Sequence, residues 1–267
     1  MAVFPTLFLS HGAPDMALHA SPLREFLISL GEKLGKPQAI LIMSSHYDMA
    51  QPSYSADEKP GVLHHDVEGY PEAARSIDYP ASGLPQLATI AATLTEQSGL
   101  PAQEIIGRGL DHGVFGPLSL LYPDADVPVV EAAIQSEQGA GHHYVLGQCL
   151  APLRQHGVLI IGSGRLTAPA EIIEEEAPGA APAYAFASEF AEWIKEKAEA
   201  GDADSLIDYK AFGPNAQKCH PKPDHFMPFT FALGAAGAGT NGKGAKGRRI
   251  HHSVQNSVLM MDAFLFE

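Results

Sequence analysis

The chain has 267 residues, 45% of them hydrophobic and 18% charged, the balance of a globular protein with enough apolar matter for a full core. Its formal net charge of −14, from 17 basic against 31 acidic residues, argues against a nucleic-acid partner, because an acidic surface repels a phosphate backbone. Two cysteines are too few for a disulfide framework, and no apolar run approaches the roughly 20 residues that cross a bilayer.

In chain order, the opening "MAVFPTLFLSHG" is apolar but short and has no basic leader, so it reads as a strand over residues 3–9 rather than a secretory signal, and a cytoplasmic location is expected. Further buried strands are predicted over 38–45, 104–110, 127–134 and 157–162, separated by helices near 22–35, 84–98, 114–121, 141–155 and 182–200. A last helix is predicted over 224–236, with "NSVLMMDAFLFE" as the closing strand. The alternation predicts an α/β fold: one domain over 1–267, with a mostly parallel or mixed central sheet flanked by helices. Two segments break the rhythm. The Pro-rich stretch from Asp48 to Pro85 reads as a loop folded over a site, and "GAAGAGTNGKGAKGRR" as a flexible surface connection. The acidic run Glu174 to Glu176 reads as a solvated helix end.

Three apolar runs end in an unusual way. "LFLSHG" closes on Ser10 and His11, "LIMSSHYD" on Ser45 and His46, and "LIIGSGRLTAP" on no histidine at all. Ligands of open α/β sheets collect at the carboxyl ends of strands, which directs His11 and His46 toward one crevice. Imidazole is the commonest metal ligand, so a metal is the natural occupant. A third ligand is available from "HPKPDHFMPF", where His225 and His220 compete; Asp224 points about 100° away from His225 on a helix and would not share its ion. His19, His142, His143, His156, His251 and His252 read as solvent-exposed or locally hydrogen-bonded. Phe115, Leu118 and Leu121 follow helical spacing and read as core.

The stretches "LFLSHGAPDMAL", "AILIMSSHYD", "HHDVEGYPEAA", "GLDHGVFGPLSLLYPDADVPVV", "GSGRLTAP", "HPKPDHFMPFTFALGAAG" and "SVLMMDAFLFE" fall in order along nearly the whole chain. With them the sequence resembles the class III extradiol ring-cleavage dioxygenases, specifically the 4,5-DOPA dioxygenase family, relatives of the protocatechuate 4,5-dioxygenase catalytic subunit. The resemblance implies a metal held by His11, His46 and His225, with iron(II) expected for activity and zinc(II) possible in the same site. It implies a small aromatic substrate (a catechol, carboxylated catechol or aminophenol), dioxygen as co-substrate, and a homodimer as the expected assembly.

Extradiol cleavage also needs a group that moves protons, worth roughly 10²- to 10⁴-fold. The family carries a histidine for this in Gly-Ser-Gly-x-x-x-His-Asn. Here the corresponding stretch runs Gly162, Ser163, Gly164, Arg165, Leu166, Thr167, Ala168, Pro169, and the histidine position is Ala168. His112 in "LDHG" is the candidate to take over the proton role, the alternative being a helix-capping histidine; His65 is a second candidate at the substrate, with Asp66 to orient it. Arg165 could pair with a substrate carboxylate. Tyr47 and Tyr70 could orient an aromatic ring, with packing as the plainer alternative. Loss of the usual histidine also admits a metal-binding scaffold that no longer cleaves rings. A zinc hydrolase fits less well, lacking a carboxylate base beside the ligands. No glycine-rich nucleotide fingerprint follows a strand, so no organic cofactor is indicated.

Overall fold

Continuous apolar runs, buried on both faces, are what a parallel strand between two helical layers requires. Ile40, Leu41, Ile42 and Met43 meet that demand in one strand and Leu159, Ile160 and Ile161 in another, all fully buried. The computed structural model describes residues 3–63, 70, 72–169, 184–237 and 244–267. Its strands are β1 (Thr6–Ser10), β2 (Ala39–Asp48), β3 (Ser53–Ser55), β4 (Gln103–Ile105), β5 (Val129–Ile134), β6 (Val158–Gly164), β7 (Gly247–His251), β8 (Val254–Gln255), β9 (Leu259–Met260) and β10 (Ala263–Phe266). Eight of them form one mixed sheet in the order β4-β3-β5-β2-β6-β1-β10-β7, and β8 and β9 make a separate small ladder.

The centre, β5-β2-β6-β1, is parallel, while β10 and β7 extend it antiparallel on one side and β3 pairs antiparallel with β5 on the other. Since β6 lies between β1 and β2 and runs the same way, the three strand ends noted in the sequence stand side by side at one edge. Helices cover both faces. Pro22–Leu34 and His112–Leu121 bury Leu23, Leu27, Phe115 and Leu118 on one side. Pro85–Gln97, Gly139–Leu150, Ala185–Ala200 and Met227–Ala235 pack on the other. The first of these helices shows why its boundaries are legible: the Ser21 side chain accepts from Arg24 N–H, Pro22 opens the first turn, and Gly35 takes φ 71° at its end.

The α/β architecture and its mixed sheet are as expected. The differences are local. The run predicted as a strand over 104–110 stops at Ile105, because Gly107 and Gly109 adopt φ of 86° and 79° and turn the chain out of extended geometry. The helix predicted to 155 ends at Leu150 and continues as a 3-10 turn over Ala151–His156 with a proline at its start. The Asp48–Pro85 segment is not wholly loop: it contains β3 and a short helix, Glu72–Arg75. The far end of the glycine-rich connection is an edge strand, β7. The candidates His65 and Asp66 and the run Glu174 to Glu176 lie outside the described residues. Among the described residues no helix is long and apolar enough to cross a membrane.

Candidate metal centre

His11 is the first residue beyond β1; its N–H donates to the Gly164 carbonyl of β6 at 2.9 Å, and its ring is fully buried. His46 sits where β2 loses register with β5, between Ser44 and Asp48; this irregularity frees the segment from the ladder and turns the ring into the crevice. His225 comes from the other side of the sequence, in the 3-10 turn Asp224–Phe226 ahead of the helix Met227–Ala235. That turn packs against β6 more closely than any side chain would allow. A Cβ on Gly162 would stand 1.9 Å from the Pro228 carbonyl oxygen, and one on Gly164 would stand 2.2 Å from that of His225. The Gly-Ser-Gly at the third strand end is therefore a docking surface for the turn that carries His225.

The three imidazoles converge. His11 Nε2 and His46 Nε2 are 3.0 Å apart, and one ligand atom from each of His11, His46 and His225 lies within 4.8 Å of the others. Bonds of about 2.1 Å from one ion to two imidazole nitrogens at adjacent positions place those nitrogens about 3 Å apart, so the spacing of the first two suits a shared metal. Proton positions agree. Ser163 Oγ donates to the Gly113 carbonyl at 2.5 Å, so toward His11 Nδ1, 3.0 Å away, it can only accept; His11 carries its proton on Nδ1 and turns the Nε2 lone pair to the centre. His225 Nδ1 lies 3.2 Å from Asp224 Oδ1, which fixes the same tautomer, and its buried Nε2 has no hydrogen-bond partner among the described residues. Burial, with the neighbouring His46 next in weight, holds the His11 ring well below its ordinary pKa, and burial lowers that of His225 too. Neutral rings are the ligand form. These residues fit a divalent metal of the kind imidazole binds, iron or zinc.

His112 opens the helix His112–Leu121 and is buried, its ring 3.9 Å from that of His46 and 5.5 Å from that of His11, centroid to centroid. It belongs to the same cluster. Arg165, directly after β6, lies behind His11, its Nε and Nη2 both 3.4 Å from the carbonyls of His11 and Gly12. Its charge works against protonation of both His11 and His225. Tyr47 is buried with its ring under the Arg108 guanidinium, 3.9 Å from charge to centroid. Tyr70 is exposed. Ala168 offers only its backbone, donating to the Cys219 carbonyl at 2.9 Å.

His220, the competing candidate, is fully buried: its Nε2 donates to the Leu166 carbonyl at 2.8 Å, and its ring packs among Phe190, Tyr209 and Phe226. It braces the loop after β6 and is not part of the three-histidine group. Asp224 is not part of the three-histidine group; it does not point away from His225 but orients its ring through Oδ1. Sequence reasoning overlooked Ser163, although its motif was in view, and overlooked Glu131, a lone acid in the strand run "VVEAAI".

Residues 7–261 match the family described as the catalytic LigB subunit of aromatic ring-opening dioxygenase. The chain is 38% identical over 265 residues to the 4,5-DOPA dioxygenase extradiol of Beta vulgaris, covering 98% of this chain and 96% of that protein. It is 31% identical over 237 residues to the 4,5-DOPA dioxygenase extradiol of Escherichia coli K12, covering 86% and 84%. A crystal structure of an uncharacterized Escherichia coli K12 protein superposes with a TM-score of 0.80 at 27% identity, covering 99% of this chain and all of that one. The chain thus belongs to the LigB family of aromatic ring-opening dioxygenases and is a class III extradiol ring-cleaving enzyme.

Proposed function

We propose that this enzyme opens a catechol-type ring beside its diol, at a single iron(II) held by His11, His46 and His225. The observation that carries the reading is the convergence of three imidazoles, two with their lone-pair nitrogen fixed by Ser163 and Asp224. Zinc would fit the same nitrogens but is redox-inert. A ferrous ion held there would supply the electron-transfer capacity that lets dioxygen react with the ring.

The chain's own residues supply the rest. Three neutral imidazoles leave the ion's double charge uncompensated, which favours a substrate that binds as an anion. His112, beside His46, takes the proton released by a diol hydroxyl and returns it later, the role the family gives to the histidine that is Ala168 here. Arg165, largely desolvated behind His11, provides a fixed positive charge for a carboxylate on the ring, with His65 and Tyr47 as further substrate-side candidates.

The test is oxygen uptake by protein reconstituted anaerobically with iron(II), against catechols, carboxylated catechols and aminophenols. Uptake with a ring-opened product, abolished in His46→Ala, supports the reading. Full metal occupancy without uptake on any ring would overturn it.

A further inference from the structure

Beneath the histidines lies a second buried polar cluster. Asp111 and Glu131 are fully buried, and the Arg108 side chain between them is only 14% exposed. Arg108 Nη2 donates to Asp111 Oδ2 at 2.9 Å, to Glu131 Oε1 at 3.3 Å and to the His46 carbonyl at 3.3 Å. Asp111 Oδ1 accepts from the Ser44 hydroxyl at 2.7 Å and from Gly113 N–H at 2.9 Å. Ser44 Oγ in turn accepts from His46 N–H at 3.2 Å. The Gly113 carbonyl receives the Ser163 proton, and Ser163 receives that of His11. One carboxylate is thereby linked to the backbone of His46, to the helix start that carries His112, and through Ser163 to the ring of His11.

Two carboxyl groups and one guanidinium would leave a negative charge uncompensated, which a buried site tolerates poorly. Glu131 Oε2 receives no donor among the described residues, while Glu131 Oε1 and Asp111 Oδ2 close on the same Arg108 nitrogen, which brings the two carboxyls side by side. A proton on Glu131, given to Asp111, resolves both problems. We propose that Asp111 is the positioning residue that holds the site histidines in register, and that Glu131 supports it as a neutral carboxylic acid donating a hydrogen bond to it. Burial and the adjacent Asp111 charge, both of which push the Glu131 carboxyl well above its ordinary range, agree with this. The inference rests on the metal reading given above.

The experiment is Zn(II) titration of full-length wild type, Asp111→Asn, Glu131→Gln, Glu131→Ala and His46→Ala, with thermal unfolding to confirm that each is folded and infrared spectra at neutral pH. Asp111→Asn keeps a helix cap but loses the charge on Arg108, and its affinity is expected to fall about 10- to 100-fold. Glu131→Gln, whose amide N–H replaces the carboxyl O–H, should stay within about threefold of wild type, while Glu131→Ala falls toward Asp111→Asn. The wild-type spectrum should show a protonated carboxyl stretch that Glu131→Gln lacks. Glu131→Gln as weak as Glu131→Ala, with no such band to lose, would overturn the neutral-acid role. Unchanged affinity in Asp111→Asn would overturn the positioning role. Wild type that takes up no more Zn(II) than His46→Ala would overturn the metal reading and the positioning role with it, while the infrared band still decides Glu131 separately.

Discussion

Ser163 Oγ accepts from His11 Nδ1 at 3.0 Å while giving its own proton to the Gly113 carbonyl, so a hydroxyl on β6 decides which nitrogen of a histidine beyond β1 faces the three-histidine centre. Ser163→Ala removes the acceptor and leaves a buried carbonyl without its donor. Metal affinity should fall about 10- to 100-fold, with a loss of about 1–3 kcal/mol in stability. Competition titration and urea unfolding read the two effects separately; an affinity equal to wild type would show that His11 needs no partner to hold its tautomer.

Gly164 faces the His225 carbonyl at a distance no Cβ can occupy. Gly164→Ala must push the turn Asp224–Phe226 outward, at a cost of about 1–3 kcal/mol, and should weaken metal binding more than its loss of stability explains. Urea midpoints and Zn(II) affinity measured on the same preparation check this. A variant of normal stability and affinity would mean that the backbone can give way here.

For His112, the expectation separates chemistry from binding. His112→Gln should retain metal within a fewfold of wild type and lose about 10²- to 10⁴-fold in kcat with the best substrate. Loss of metal in proportion to activity would instead make the ring a structural or ligating one.

Arg165 predicts a difference between substrates. Arg165→Gln should raise KM for carboxylated catechols about 10- to 100-fold, the worth of a charge-assisted hydrogen bond, and leave plain catechols nearly unaffected. An equal loss on both would assign the guanidinium to the His11 and Gly12 carbonyls alone.

Acid stability should depend on His143, far from any candidate ligand in sequence. This buried ring accepts from Gln135 N–H through Nε2 and donates from Nδ1 to the Gly139 carbonyl, and burial pushes its pKa from 6.5 to about 3. Between those values the unfolded chain binds a proton that the folded chain refuses, so stability rises with pH through the window and is complete above it. A fall from about pH 7 to about pH 5 should cost roughly 2 kcal/mol through this group. Urea midpoints at the two pH values should differ less in His143→Gln than in wild type; an equal difference would show that the ring is charged in the folded state.

The strands that build the site were legible because both their faces are buried: an uninterrupted apolar run such as that of β2 has one interpretation, and a histidine at its end stands out. The strands toward the margins of the sheet were not. Ser53–Ser55, flanked by the short edge strand β4, has only three residues, two of them serines, and the opposite edge strand Gly247–His251 carries two arginines and emerges from a glycine-rich stretch that composition reads as loop. The choice between His220 and His225 turned on a tertiary contact, the Leu166 carbonyl, which no local pattern contains. Nothing in the local sequence says why Gly162 and Gly164 are glycines, and only the packed structure shows them clearing space for another segment. Glu131 was invisible for the opposite reason: a strand pattern marks it as an interruption of the core, while its partners lie in a loop and at a helix start.

Because β6 is threaded between β1 and β2, the site is assembled from segments that the ribosome delivers far apart in time; His11 and Ser163 alone are separated by 152 residues. A chain synthesised only through its four parallel strands offers two of the three imidazoles, since His225 follows them all. The ion therefore cannot template the early fold. Parallel pairing with long loops to close is intrinsically slow, and the polypeptide must finish it unaided. An ion bound by the three histidines, as proposed, would then enter as a late passenger that stabilises by mass action what is already built, and cells starved of it should accumulate a folded, loadable apoprotein rather than debris.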